Sequence, residues 1–250
     1  MKIPFLTAFC LIFSSLAGEV YVPTNLQLPN ASSIYRSQTN SRSVDHGVHI
    51  DLVCQYPVYL KKNQLSSYVE KAIKNHMHKL EEDFVHEITD RYDHNQFDEY
   101  YDGPNRNLEY VLAPTYCSPD LISLFGSCYR YYACPHGCIQ QEGKTFWKKG
   151  DAIGEATFSD LFVNEQEAKE HIANICENRT QENTYKIEEI QAQHITAFTI
   201  TEKGLAIIFQ PFILGSWTEG PDYVLIPYEE LRAWIHPEGP LQPLLQNSGT

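Results

Sequence analysis

Basic side chains are scarce in this chain: Lys and Arg number 19 against 32 Asp and Glu, a formal charge of −13. So acidic a surface repels phosphate backbones and anionic headgroups, which makes nucleic acid and anionic lipid poor partners. Long apolar runs are also missing. The longest, Ile3 to Ala17, has 15 residues and includes Thr7, Ser14 and Ser15, short of the ~20 that a spanning helix needs. No Gly-x-Ser-x-Gly elbow, His-Glu-x-x-His pair or phosphate-cradling glycine loop occurs, so three common catalytic or nucleotide-binding signatures are absent. The histidines cluster as His46 and His49, His76 and His78, and His86 and His94. An i, i+2 pair on a helix points to different sides, so these nominate no metal site, and no cofactor is expected.

What the N-terminus does contain is one basic residue, Lys2, then the short apolar run and Ser15-Leu16-Ala17. This pattern predicts a cleavable signal peptide over residues 1–17 and export to the periplasm or beyond. Cys10 has too little apolar sequence before it for a lipoprotein. Cleavage would take Lys2 away, bringing the charge to −14, and would leave 233 residues with six of the seven cysteines. These are Cys54, Cys117, Cys128, Cys134, Cys138 and Cys176. An even count in an oxidising compartment predicts up to three disulfides, with about 15 full pairings open and ~2–4 kcal/mol from each bridge. The Cys134-Pro135-His136-Gly137-Cys138 run has one residue more than a thiol oxidoreductase motif and lacks its βαβ context. One histidine between two cysteines is also too few ligands for zinc. A disulfide within or from this loop is the expectation.

Patterning predicts the elements. Residues 18–46, rich in Ser, Asn, Thr and Gln, read as a flexible leader. Gly47 to Leu60 reads as a strand pair broken at Pro57. Leu65, Val69, Ile73, Met77, Leu80, Phe84 and Ile88 recur at three and four and put one apolar face on a long helix. Asn107–Tyr116 and Ile122–Ala133 follow as strands. Phe198–Thr201 and Leu205–Phe209 form a hairpin with Gly204 at positive φ in its turn, and Tyr223–Ile226 is a further strand. Pro227 opens a helix with Glu229 and Glu230 in its first turn and Leu231, Trp234 and Ile235 on its apolar face, stopped by Pro237. The sum is an α+β fold: antiparallel sheets packed with helices in two subdomains.

Several of these segments carry a resemblance. Ile195 to Leu241, with Phe209, Phe212, Gly220, Ile226, Pro227, Tyr228 and Leu231 at the matching positions, resembles the C-terminal domain of RsiV-type anti-sigma factors and PdaC-type envelope deacetylases. Gly154 to Phe162 resembles the Gly-x-x-x-Thr-x-x-Asp-Leu-Phe element of the same family. Tyr129 to Gln140 stands where relatives end an aromatic strand in Gly-Gly-Ala-His-Gly; His136 and Gly137 are kept, while Ala133, Cys134 and Pro135 replace the flexible residues. The resemblance implies a PdaC-type N-terminal domain over 47–150, an RsiV-like domain over 151–241 and a tail at 242–250. It also implies an extracytoplasmic module, which anti-sigma relatives use to recognise lysozyme and deacetylase relatives carry beside a separate catalytic domain.

Charge distribution points the same way. Between Glu81 and Asp102 nine acidic residues stand against Arg91 alone, with Tyr92, Phe97, Tyr100 and Tyr101 interleaved. Aromatic area inside an acidic field suits a basic protein partner. The candidate binding residues are therefore Asp93, Phe97, Asp98, Glu99, Tyr100, Tyr101 and Asp102, together with His136. The expected function is non-catalytic binding of lysozyme or another basic envelope protein. A cell-wall glycan stacked on exposed Tyr and Trp is the second expectation, and an envelope hydrolase built on His136 the third.

Overall fold

A single amphipathic helix organises the N-terminal half. In the computed structural model, which describes residues 23, 26, 28, 31–45, 48–93, 105–133, 137–180, 189–211, 213–214 and 222–245, α1 runs Gln64–Asp93. Asn63 starts it: the Ser66 N–H donates to Asn63 Oδ1 at 2.7 Å, and the Asn63 N–H donates to Ser66 Oγ at 2.9 Å, which satisfies two amides at the helix entrance. Leu65, Val69, Ile73, Met77, Phe84 and Ile88 are all buried, with Leu80 partly so.

That face lies on a six-stranded sheet ordered β1 (Tyr35–Asp45), β2 (His49–Tyr59), β3 (Asn105–Cys117), β4 (Leu121–Tyr131), β5 (Cys138–Lys149) and β6 (Ala152–Glu155). Neighbours are antiparallel except β2 and β3, which are parallel and joined through α1. Ile50, Leu52, Cys54 and Tyr56 alternate into the α1 core with Leu108, Tyr110 and Leu112.

Two short helices, α2 (Phe158–Leu161) and α3 (Glu165–Thr180), lead into a three-stranded antiparallel sheet of β7 (Ala197–Ile200), β8 (Leu205–Phe209) and β9 (Asp222–Ile226). Every residue of β8 is buried. Leu205, Ile207 and Phe209 join the core formed with α3, while Ala206 and Ile208 meet Phe125 of β4 and Leu26. The layers are therefore α1, large sheet, small sheet and α3.

Polar contacts fix the two sheets together. Ser123 Oγ accepts the Ile200 N–H at 2.9 Å and lies 2.7 Å from Thr145 Oγ1 and 2.9 Å from Thr199 Oγ1. Thr115 Oγ1 is 2.5 Å from Thr199 Oγ1 and donates to the Ile200 carbonyl at 2.7 Å. All four hydroxyl residues are buried, and a buried hydroxyl needs such partners. A register shift between Pro114 and Tyr116 turns this stretch of β3 toward the small sheet. Beside it, β5 comes so near β7 that a Cβ on Gly143 would sit 1.6 Å from the Phe198 carbonyl oxygen.

Five expectations change. Residues 35–45 of the supposed leader form β1: its polar side chains suit an exposed edge strand, and the apolar strand beside it supplies the pairing. Leu26, in the same segment, is buried between the sheets. Pro57 does not break β2, because the pairing with β3 ends at Gln55 and no ladder donor is required beyond it. Gly204 is in the β7–β8 turn, but Gly150 is the described glycine with positive φ. Close approach is what requires Gly204, since a Cβ there would lie 2.2 Å from the Ile226 carbonyl oxygen. The helix that Pro227 introduces is only Tyr228–Leu231, labelled α4, with Pro227 as its N-cap. It stops because Ile235 bridges to Phe162 and the His236 N–H donates to the Leu161 carbonyl at 2.8 Å. Part of the expected tail is also ordered: α5 (Gln242–Leu245) buries Leu244 and Leu245 in the C-terminal core.

Candidate functional site at the acidic end of the long helix

The chain order β2, α1, β3 brings the end of α1 back to the starting ends of β2 and β3. Asp93 closes α1 and Asn105 opens β3, where it pairs with His49; two residues on, Asn107 pairs with Tyr131 at the end of β4. Described residues on both sides of 94–104 thus reach the β4 end of the β4–β5 hairpin: Arg91 lies over the Tyr132 ring, and Asn107 pairs with Tyr131. Phe97, Asp98, Glu99, Tyr100, Tyr101, Asp102 and His136 themselves lie outside the described residues, as does the side chain of Asp93.

The described residues in the last turns of α1 form an acidic rim. Glu82, Asp83, His86, Glu87 and Asp90 line an open groove on α1, with Glu82 63% and Asp83 67% exposed, enough to meet a partner directly. The hairpin is anchored on this stretch. Tyr132 Oη donates to Glu87 Oε2 at 2.8 Å, its ring packs 5.3 Å from Phe84, and the Arg91 guanidinium lies 4.9 Å over it. Ala133 follows at φ 59 and Gly137 returns against Tyr129, whose ring leaves no room for a Cβ. His49 adds an exposed imidazole between Asp45 at 2.9 Å and Asp51 at 3.2 Å. The hydrogen bond with Asp45, joined by the charges of both carboxylates and opposed by desolvation, raises its pKa.

A second polar cluster has no signal in the sequence. Glu142, on β5, receives the Tyr110 hydroxyl and pairs through Oε1 with His76 Nε2 at 3.0 Å, while Lys144 Nζ lies 3.2 Å from Oε2. Gly126 makes room, since a Cβ there would come within 2.9 Å of Glu142 Cγ. Burial works against ionisation, but the His76 and Tyr110 hydrogen bonds and the Lys144 charge outweigh it and bring the Glu142 carboxyl to about 2. His78, two residues on, points away toward Glu82 at 3.2 Å. The geometry clamps α1 to β3 and β5. Burial pushes the Cys54 thiol up and the Cys128 thiol to about 12, so neither offers a ready thiolate to the Glu142–His76 pair.

The expected disulfides are not seen among the described residues: Cys54, Cys117, Cys128, Cys138 and Cys176 are free. Cys54 and Cys128 stand opposite Tyr110 from either side, a whole strand apart and thus about 10 Å from each other, beyond disulfide reach. Cys117 is farther along β3, and Cys176 belongs to the other core. Cys134 lies outside the described residues. Among those residues no group of three His, Cys, Asp or Glu side chains is placed to hold a metal, and no helix is long and apolar enough to cross a membrane.

Residues 159–229, from α2 through α3 and the small sheet into α4, match the family described as "Protein of unknown function (DUF3298)". Two solved structures share the fold. A member of that family from Bacteroides fragilis superposes with a TM-score of 0.58 at 11% identity, covering 85% of this chain and 98% of its own. A family protein from Pseudomonas aeruginosa gives 0.53 at 11% identity, covering 85% of this chain and 97% of its own. No curated protein matches the sequence.

Proposed function

We propose that this chain is an exported, non-catalytic binding protein that captures a basic envelope-active protein, lysozyme being the representative partner. The observation that carries the proposal is convergence: the acidic groove of α1, the start of β3 that follows residues 94–104 and the Tyr132 end of the β4–β5 hairpin occupy one end of the fold. Acidic charge gathered there would steer a cationic protein, and aromatic side chains would supply the desolvated contact. The resemblance to RsiV-type and PdaC-type modules supports the same reading. Capture would work by occlusion, with no bond made or broken. The test is titration of the protein with a basic lysozyme before and after neutralising Asp93, Asp98, Glu99 and Asp102. Unchanged affinity and salt dependence in the neutralised protein would remove this mechanism.

A specific feature favours a second reading. Gln166, Lys169, Gln191, Gln193 and Thr196 line a polar cleft between α3 and the turn Ala192–His194. Carboxamides and a hydroxyl over the apolar floor of Ile195 could hydrogen-bond a cell-wall glycan. Co-sedimentation with purified peptidoglycan that is indifferent to salt and lost in a Gln191→Ala/Gln193→Ala variant is the expected result for that reading.

A further inference from the structure

We infer that the outer edge of β1 is a self-association surface, on which a second copy of this chain adds its own β1 antiparallel. β1 is the edge strand of the large sheet and is 11 residues long. Among the described residues only β2 pairs with it. Edge strands of monomers are usually blunted by Lys, Pro, a bulge or shortness. β1 has no lysine or proline, pairs with β2 without a register shift, and is mostly exposed. One of its two arginines, Arg42, is already held by Glu81 at 2.7 Å.

Side-chain chemistry selects the occupant. In a two-fold antiparallel pairing centred on Asn40, each residue faces the one equally distant on the other side of the centre. Tyr35 then faces Asp45, Arg36 faces Val44, Ser37 faces Ser43, Gln38 faces Arg42 and Thr39 faces Ser41. The full length of the strand is paired, hydroxyls oppose hydroxyls, and no like charges meet. Slipping by two residues in one direction sets Arg36 against Arg42 at two symmetric points. The favoured pairing keeps each face of the sheet on its own side, as a closed two-fold dimer requires. Thr39 and Ser41 lie on the face away from α1, because Asn40 between them pairs with Cys54 in the α1 core.

Sedimentation velocity over a concentration series, with the full chain, tests the inference. The unmodified protein is expected to dimerise reversibly. Thr39→Lys/Ser41→Lys, which puts lysine opposite lysine twice, should weaken the dimer about tenfold. Thr39→Lys/Ser41→Glu, which puts lysine opposite glutamate twice, should restore it. Both substitutions fall at exposed positions, and unchanged thermal melts would show that the fold is intact. A chain that stays monomeric throughout overturns the inference. So does a dimer affected equally by the two charge patterns, or by neither.

Discussion

Glu142 shows how a single side chain can hold a helix to a sheet. Its carboxyl is lowered from an ordinary value of 4.5 to about 2, so the stability it contributes is present above about pH 4.5 and lost as pH falls toward 2. That difference corresponds to something on the order of 3 kcal/mol. Glu142→Gln should therefore lower stability at neutral pH by a few kcal/mol and flatten the acid limb of denaturant midpoints measured from pH 5 to pH 2. An unchanged limb would rule out the clamp. Its neighbour Gly143 acts through the absence of a side chain: with the Phe198 oxygen 1.6 Å from where a Cβ would stand, Gly143→Ala should cost more than about 3 kcal/mol by urea denaturation. Neither residue is legible in the sequence. Gln-Gln-Glu-Gly-Lys carries no apolar alternation, and only the strands on either side reveal a mid-strand clamp and a contact between sheets.

At the scale of elements, α1 was legible because seven apolar residues repeat at helical spacing and nearly all of them are buried. The strands of the small sheet were legible too, since β-branched runs stand between clear breakers. β1 and β5 were not, because their stability comes from apolar neighbours rather than from their own composition. The helix α4 was overextended from sequence for a related reason. Its apolar residues Trp234 and Ile235 are drawn toward the α2 segment, a tertiary contact that periodicity does not contain. Between the sheets, the hydroxyl network predicts that Ser123→Ala is unusually costly. It would leave the buried Ile200 N–H and two threonine hydroxyls short of a partner, for a loss of roughly 2–3 kcal/mol measured by chemical denaturation. A loss below about 0.5 kcal/mol would show that the network contributes little.

The whole molecule joins two large cores through that polar seam and the small apolar cluster of Leu26, Phe125, Ala206 and Ile208 beside it, and the end of the fold farthest along α1 gathers the acidic charge. The candidate segment was legible as charge interleaved with aromatics, but the meeting of the helix before it with the β4–β5 hairpin was not, since Tyr132 and Glu87 are 45 residues apart in the chain. Tyr132→Phe removes the hydrogen bond that ties them and keeps the ring packing. It should weaken capture of a basic protein several-fold in a pull-down, with little change in melting temperature; unchanged capture would separate the hairpin from the binding surface.

The most direct test of the central claim is calorimetric titration of the purified protein with a basic lysozyme at low and at physiological salt. Saturable binding is expected that weakens with salt, persists at physiological strength, and is lost when Asp93, Asp98, Glu99 and Asp102 are neutralised. Absence of binding at either salt, corroborated by sedimentation of the mixture, would contradict it.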